Sequence, residues 1–540
     1  TNTYPTKIVV GDTNKDSRQR ASTLALSDFR GGIGLNRYKG AADVDRIWFS
    51  TNQIRFLGNI VLPPLATTTA ASGKSGVFSI PIIGQLNNEI YAVYGRDVYK
   101  YNNSTDSWGA SLDTLPDDPT AALTMRLNGT VYFVIAYTSG YVYTSDGSTW
   151  SPSTKDVKYL ACWDNRLWGI DNTGQLWFSI TPGTEINDAI LPLEDGDVTS
   201  LLTGFPGGLS RDIIFAGTKF GLFAHNVEEA EFEQTGLTLS RHPIGGRGTT
   251  RWRNNIYYPA GLSIYKYSTG ASDAVVSVVG PDRDDGLPSD KRGTITGLIA
   301  TTNDLIALVD SATTIASRTS FSGSGGAELR SGGQSEVAAI LGGETGFNMI
   351  MAYNEIGWEV RWLSEATASG IDSAFVGDAY GKYRLWWASD KRILFMTLPD
   401  NIINPNEVTN FDYATSGETI TPWFDAGQQD VFKLALQFKA EFTDMSSDET
   451  AVISYALDLD NDTWVIMDDA WSAQATATTG TVTADGKATY TFPSIADPEG
   501  LPFKFIRFRI QLARGSASSK NTPKLRSLTL EWRKKLETSY

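Results

Sequence analysis

The sequence predicts an all-β protein in which a β-propeller of seven or eight blades is followed by an antiparallel β-sandwich. Two observations carry this prediction. Short aromatic-rich strands recur through residues 76–415, and strictly alternating strands follow from residue 416 onward. The composition agrees, since 51 glycines and an aromatic fraction of 11% are typical of strands and turns rather than helices.

Each copy of the repeat joins an alternating apolar and aromatic strand to a second short strand through a Gly or Asn turn. The copies begin at positions 88, 128, 165, 212, 255, 304, 348 and 383. A period of about 40–45 residues built from short strands is typical of propeller blades. One four-stranded blade cannot cover both of its faces, so neighbouring blades must stack and the ring must close. We expect the aromatic residue at each strand centre to lie in the core between blades.

Residues Thr144–Trp150 (Thr-Ser-Asp-Gly-Ser-Thr-Trp) resemble the Asp-box hairpin turn of sialidase-like propellers, in which the carboxylate tethers a tight turn. The step from Asp to Gly is one residue short here, so this is a variant of the motif. Residues Ser104–Trp108 form a degraded copy, and Trp108 lies 42 residues before Trp150. The Asp-box is a structural feature in that family, so the resemblance implies a fold and not sialidase activity.

The regions on either side of the repeats have a different pattern. Residues 1–75 are interpreted as an N-terminal arm with two strands and a soft linker at Ala66–Gly73. This arm would pack on the ring, supply a closing strand or reach a partner subunit. Residues 416–540 alternate strictly, for example in Phe432–Ala440 and Leu528–Arg533, which indicates strands with one buried face. They predict a jelly-roll-like or immunoglobulin-like sandwich.

Charge and composition argue against several classes of function. The 61 acidic and 46 basic residues give a net charge of -15, which disfavours nucleic-acid binding and contact with anionic membranes. The sequence has no run approaching the roughly 18 apolar residues of a membrane-spanning helix, and its start does not have the pattern of a secretory signal. The single cysteine, Cys162, excludes an intrachain disulfide.

No residue of the sequence is predicted to be catalytic, cofactor-binding or metal-binding. The two histidines, His225 and His242, have no recognisable nucleophile beside them and are interpreted as surface or turn residues. The acidic strings Asp282–Gly286 and Asp458–Asp462 offer oxygens to Ca²⁺ but do not have the remaining ligand pattern, so they are interpreted as exposed turns. We therefore expect a protein that is not an enzyme and has no cofactor, with Ca²⁺ at one of these acidic strings as the alternative.

The whole arrangement resembles virion structural proteins of tailed bacteriophages. The resemblance rests on the phrase Asp28–Gly32 (Asp-Phe-Arg-Gly-Gly), on the degenerate propeller and on the C-terminal region with its Pro422–Gly427 segment. It implies a non-enzymatic role in the tail, neck or fibre base, as a docking and display platform with recognition of host-surface glycans as an added role. Assembly in the bacterial cytoplasm, other virion proteins as partners and a homo-oligomeric state are expected.

Two other functions fit the same sequence. One is a carbohydrate-active propeller, sialidase-like or depolymerase-like, which would need a convergent pair of carboxylates. The other is a cellular scaffold or binding propeller. A homo-oligomer would favour the virion interpretation, and sugar turnover by the isolated chain would favour the enzyme.

Overall fold

The fold is described from a computed structural model. It covers residues 21–33, 46–56, 58–69, 82–205 (except 192 and 195), 211–311 (except 227, 270–273, 282–286, 288–290 and 292), 347–399 (except 365–369 and 390–391) and 411–535 (except 460–462, 468–470, 474–476, 479, 493–498 and 516–519). No helix within these ranges is long and apolar enough to cross a membrane.

The described residues of the N-terminal segment form seven short strands. They are β1 (Ser22–Leu26), β2 (Gly32–Ile33), β3 (Arg46–Ile47), β4 (Phe49–Thr51), β5 (Ile54–Phe56), β6 (Asn59–Val61) and β7 (Ala66–Thr68).

The described residues of the repeat region form seven antiparallel sheets, and we call each four-stranded unit a blade. Blade 1 contains β8 (Ile82–Leu86), β9 (Glu89–Tyr94), β10 (Asp97–Asn102) and β11 (Ser107–Thr114). Blade 2 contains β12 (Pro119–Leu127), β13 (Thr130–Tyr137), β14 (Gly140–Thr144) and β15 (Ser151–Ser153). Blade 3 contains β16 (Tyr159–Trp163), β17 (Arg166–Ile170), β18 (Gln175–Thr181) and β19 (Thr184–Ile190). Blade 4 contains β20 (Val198–Gly204), β21 (Ile213–Thr218), β22 (Gly221–Asn226) and β23 (Glu231–Thr238).

The remaining blades follow the same order. Blade 5 contains β24 (Thr250–Trp252), β25 (Asn255–Ala260), β26 (Ser263–Thr269) and β27 (Ala274–Pro281). Blade 6 contains β28 (Thr294–Ala300), β29 (Leu305–Asp310), β30 (Asn348–Tyr353) and β31 (Trp358–Leu363), and its sheet is extended by β2 and β3. Blade 7 contains β32 (Ile371–Gly377), β33 (Arg384–Ser389) and β34 (Arg392–Thr397), and its fourth strand is β7 from the N-terminal segment.

The inner strands of the blades form a closed ring. Each of β8, β12, β16, β20, β24 and β28 contacts the inner strand of the next blade, and β32 contacts β8. The described residues therefore form a seven-bladed β-propeller. The sequence shows eight repeat copies because the copies near Asp304 and Asn348 are β29 and β30, two paired strands of one blade. Residues 312–346, which separate these two strands in the sequence, lie outside the described ranges.

The prediction that the repeat aromatics form the core between blades is confirmed. Tyr91, Trp168, Phe215 and Tyr257 are at most 2% exposed. The buried apolar residues group into seven clusters, one for each pair of neighbouring blades. Burial of these aromatic rings between the sheets removes a large apolar area from water, which stabilises the ring without any disulfide.

The residues after the ring form most of a second body. Their strands are β35 (Ser416–Ile420), β36 (Lys433–Thr443), β37 (Thr450–Leu457), β38 (Val465–Ile466), β39 (Trp471–Ala473), β40 (Ala477–Thr478), β41 (Thr481–Val482), β42 (Gly486–Thr491), β43 (Leu501–Phe503), β44 (Ile506–Ala513) and β45 (Lys524–Lys534). One sheet is built around β36 and β45 and the other around β44 and β37. The rings of Phe438 on β36 and Phe508 on β44 lie 4.2 Å apart between centroids, so the two sheets share a core. We call this part the two-sheet body.

The N-terminal segment belongs to both parts of the molecule. Strands β1 and β6 pair with β45, and β4 pairs with β35, so all three lie in the two-sheet body. Strands β2 and β7 lie in blades 6 and 7. The segment interpreted as an arm and linker is therefore a structural element of both the ring and the two-sheet body.

A buried ion network fixes the junction between the two-sheet body and blade 6. The side chains of Arg55 on β5 and Glu359 on β31 are 5% and 8% exposed, and their Nε and Oε2 atoms lie 3.4 Å apart. Arg361 contacts Glu359 at 3.0 Å and Asp304 at 2.6 Å. The network contains two positive and two negative charges. Pairing of opposite charges offsets the free-energy cost of burying them. The apolar core is also continuous across this junction, from blades 5 and 6 into both sheets.

Candidate binding pocket

One pocket lies at the mouth of the ring where blades 7, 1 and 2 meet. Its volume is about 750 Å³. Five of its lining residues lie on β8, β12 and β32, the inner strands of these three blades. The lining residues are Gln85, Asn87, Thr124, Val131, Phe375, Val376, Gly377, Asp378, Gly381, Tyr383 and Leu398.

The polar groups of this pocket connect the three blades. Gln85 donates its side-chain amide to the carboxylate of Asp378 at 2.9 Å and to the carbonyl of Asn87 at 2.7 Å. Thr124 donates its hydroxyl to the carbonyl of Gln85. Among the lining residues, Asp378 supplies the one carboxylate. The pocket thus offers amide, carboxylate and hydroxyl groups for hydrogen bonds and the apolar ring of Phe375 for packing.

A basic cluster lies at the other face of the ring, where β16 and β20 begin. The buried carboxylate of Asp197 lies 2.6 Å from Arg241 and 3.3 Å from Lys219. Lys158 donates to the carbonyl of Val198 at 3.0 Å and to Asn172 at 3.2 Å, so it ties blade 3 to blade 4. Burial lowers the pKa of Lys158 to about 8. These contacts therefore stabilise the packing of blade 3 against blade 4.

The Asp-box variant is a structural turn. The Asp146 carboxylate accepts hydrogen bonds from the backbone N–H groups of Ser148 and Thr149, both at 2.8 Å. These bonds hold the pKa of Asp146 well below its ordinary value. Gly147 has a φ of +72°, and a Cβ there would lie 2.1 Å from the hydroxyl of Tyr91. The turn therefore packs blade 2 against blade 1.

The interpretation of His225 as a surface residue is wrong, because its exposure is only 2%. Its Nε2 lies 2.7 Å from Oδ2 of Asp188 in the neighbouring blade, and its ring packs between Trp168 and Phe232. Burial lowers the pKa of His225 despite the nearby carboxylate. His242 lies in a turn, as expected, and is half-buried. His225 lies on β22 of blade 4, and His242 lies in the connection between blades 4 and 5.

The other candidate residues have structural surroundings or lie outside the described ranges. Residues 282–286 and 460–462 belong to the undescribed part. Asp458 accepts backbone hydrogen bonds from Lys504 at 2.7 Å and Phe505 at 3.1 Å, so it closes a turn. Cys162 is half-buried, and burial raises the pKa of its thiol. An exposed group of Glu229, Glu231 and Glu233 on blade 4 is the one cluster with metal-ligand geometry among the described residues.

Sequence reasoning did not find the pocket. Gln85, Thr124 and Asp378 are far apart in the chain and come together only because the ring closes between blades 7 and 1. No motif marks them, since each is an ordinary polar residue near the end of an inner strand. The one sequence signal for this pocket is the repeat period. It predicts that the ends of equivalent inner strands lie at the same face of the ring.

Comparisons with known proteins add a likeness of overall structure. No family model and no curated protein matches this chain. Among solved structures, the extracellular domain of the one component system BT4673 from B. thetaiotaomicron matches with a TM-score of 0.43 and 11% identity, over 67% of this chain and 46% of that one. The chain thus spans less than half of that protein's length. BBS1N in complex with ARL6DN matches with a TM-score of 0.42 and 12% identity, over 65% of this chain and 99% of that one. YCF48 bound to D1 peptide matches with a TM-score of 0.40 and 10% identity, over 62% and 96%. At these identities the likeness concerns the fold alone.

Proposed function

We propose that this chain is a non-enzymatic structural protein whose propeller is a rigid docking and display platform. The observation that carries the proposal is the N-terminal segment, which supplies strands to both the ring and the two-sheet body. A segment shared in this way joins the two parts without a flexible linker. A platform that must hold partners in a fixed geometry needs such a joint.

The setting we propose is the virion of a tailed bacteriophage, in the tail, neck or fibre base. The sequence resemblance supports this setting. The Asp28–Gly32 segment, on which the resemblance partly rests, has a structural role. Phe29 is fully buried in the core shared by the ring and the two-sheet body. Gly32 has a φ of +68°, and a Cβ there would lie 2.4 Å from the carbonyl oxygen of Trp358. The phrase thus docks the N-terminal segment onto blade 6.

The experiment for this proposal is to measure the mass of the native assembly and to examine co-purifying particles by negative-stain microscopy. A symmetric homo-oligomer, or a fixed copy number in a phage particle, is the expected result. A free monomer that is absent from particles would contradict the virion setting. In that case glycan turnover by the isolated chain would be tested next.

Recognition of a host-surface glycan is a second proposed activity, and the pocket of blades 7, 1 and 2 favours it. Sugars are bound by amides, carboxylates and aromatic rings, and this pocket is lined by Gln85, Asp378 and Phe375. Binding to a panel of bacterial surface glycans should be lost in Asp378→Ala and kept in Glu229→Ala, an exposed acid on blade 4. If both variants bind a glycan as the wild type does, recognition lies outside this pocket. If the wild type binds no glycan, the proposed activity is contradicted.

A further inference from the structure

The N-terminal segment is anchored in the two-sheet body up to the residue before the closing strand of the ring. Leu62 donates its backbone N–H to the hydroxyl of Thr522 at 3.0 Å. Leu65 donates to the carbonyl of Asp412 at 2.7 Å, and the carbonyl of Pro63 accepts from Ala414 at 2.8 Å. Strand β7 begins at the next residue, Ala66. We call residues Leu62–Leu65 the anchor, and they lead directly into the closing strand.

The closing strand itself makes few contacts of its own. Its register with β34 consists of three pairs: Leu394 with Thr68, Phe395 with Thr67 and Met396 with Ala66. Beyond them, Thr69 bonds the carbonyl of Ile393 through its N–H at 3.0 Å and its hydroxyl at 2.8 Å. A strand of three residues is at the short end of the normal range and adds few pairs to its sheet. The anchor that precedes it fixes the start of this strand on the two-sheet body.

The anchor in turn depends on the end of the chain. Strand β1 pairs with β45 over five residue pairs, from Ser22 with Trp532 to Leu26 with Leu528. Strand β6 also pairs with β45, at Ile60 and Leu525. The N-terminal segment is therefore held by β45, the last strand among the described residues.

We propose that residues 59–69 act as a strap that couples closure of the ring to the folded state of the two-sheet body. When the two-sheet body loosens, the anchor at Leu62–Leu65 is lost and β7 leaves blade 7, so the ring opens between blades 7 and 1. When the two-sheet body is folded, the strap holds the ring shut. The coupling concerns folding and mechanical stability, so it does not depend on the virion setting or on glycan binding.

Hydrogen exchange measured by mass spectrometry on the full chain tests this coupling. Phe438→Ala removes a fully buried ring from the two-sheet body, and Phe438→Leu is a milder form in case the first variant does not fold. The matched control is Leu176→Ala, which removes a fully buried side chain from the cluster between blades 3 and 4. The peptides to follow contain β7 with Thr69, and β37 as a reporter of the two-sheet body.

The expected result is a rise of at least tenfold in exchange at β7 and Thr69 in the Phe438 variants, in step with β37. In Leu176→Ala, exchange should rise within blade 3 while β7 stays slow. The proposal is overturned if β7 stays protected while β37 exchanges faster. It is also overturned if Leu176→Ala frees β7 to the same extent, because the opening would then belong to the whole chain.

Discussion

The indole N–H of Trp108 donates a hydrogen bond of 3.0 Å to the hydroxyl of Thr69. Trp108 lies on β11, the outermost strand of blade 1, and Thr69 directly follows β7, the closing strand of blade 7. The same hydroxyl donates to the carbonyl of Ile393. One buried side chain thus connects the first blade, the last blade and the N-terminal segment at the seam of the ring.

Replacing Thr69 should weaken this seam. Thr69→Val keeps the shape but removes the hydroxyl, which leaves the buried N–H of Trp108 without this acceptor. We expect a loss of about 1–3 kcal/mol in the free energy of unfolding, measured by urea denaturation. Thr69→Ser keeps the hydroxyl and is the control. If the two variants have equal stability, the hydrogen bonds at Thr69 do not stabilise the closed ring.

The ion network at the junction should be more sensitive than an ion pair on the surface. Glu359→Ala leaves the buried guanidinium groups of Arg55 and Arg361 without their shared carboxylate. We expect a loss of about 3–5 kcal/mol in unfolding free energy. Arg96→Ala, which breaks the partly exposed contacts to Asp117 and Asp118, should cost about 1 kcal/mol or less. Similar losses in both variants would show that the junction is not a buried network in solution.

The turn at Asp146 should contribute stability in a defined pH range. Backbone N–H groups lower the pKa of this carboxyl in the folded chain, so the folded state binds its proton less readily than the unfolded state. The contribution is therefore full above the ordinary pKa of 3.8 and declines as the pH falls below it. Asp146→Ala should lower Tm at pH 7, and its deficit relative to the wild type should shrink below pH 4. A deficit that is constant with pH would contradict this account.

Buried His225 should make the protein sensitive to acid. Because burial lowers its pKa below the ordinary 6.5, the unfolded chain takes up the proton first as the pH falls. Folding stability should therefore decline between pH 7 and pH 5, by at most about 1.4 kcal/mol per pH unit for one histidine. Urea denaturation of His225→Gln should give a shallower slope.

His242 should contribute to the same slope, since burial lowers its pKa in the same direction. The double variant His225→Gln, His242→Gln should be flatter than either single variant over this range. A slope that is unchanged in the double variant would show that other groups cause the acid sensitivity.

Much of the ring could be predicted from the sequence because blades are local. Each of the first five repeat copies contains strands that pair with their sequence neighbours, so period and alternation alone identify them. The prediction became ambiguous at Asp304 and Asn348, where two strands of one blade are separated by a long stretch of sequence. Counting copies gave eight, and only the pairing of β29 with β30 reduces the number to seven.

The N-terminal segment and the pocket depend on contacts that sequence patterns do not record. Strand β7 is the three residues Ala-Thr-Thr, which by composition indicate a linker, yet they complete blade 7. A closing strand was among the roles expected for residues 1–75, but no local signal distinguishes it from the alternatives. Likewise, the burial of His225 depends on Asp188 and Trp168 of the neighbouring blade. Such contacts follow from the closed ring and not from the neighbours in sequence.

The most direct test of the central claim is to cut the chain between the closing strand and blade 1. A specific protease site is inserted within residues 70–81, which connect β7 to β8, and the cut protein is analysed by gel filtration without denaturant. The account predicts that the N-terminal fragment stays bound, because β1, β4 and β6 pair with C-terminal strands, and that it separates only on unfolding. A fragment that separates from the ring under native conditions would contradict the claim that the N-terminal segment is built into both parts of the molecule.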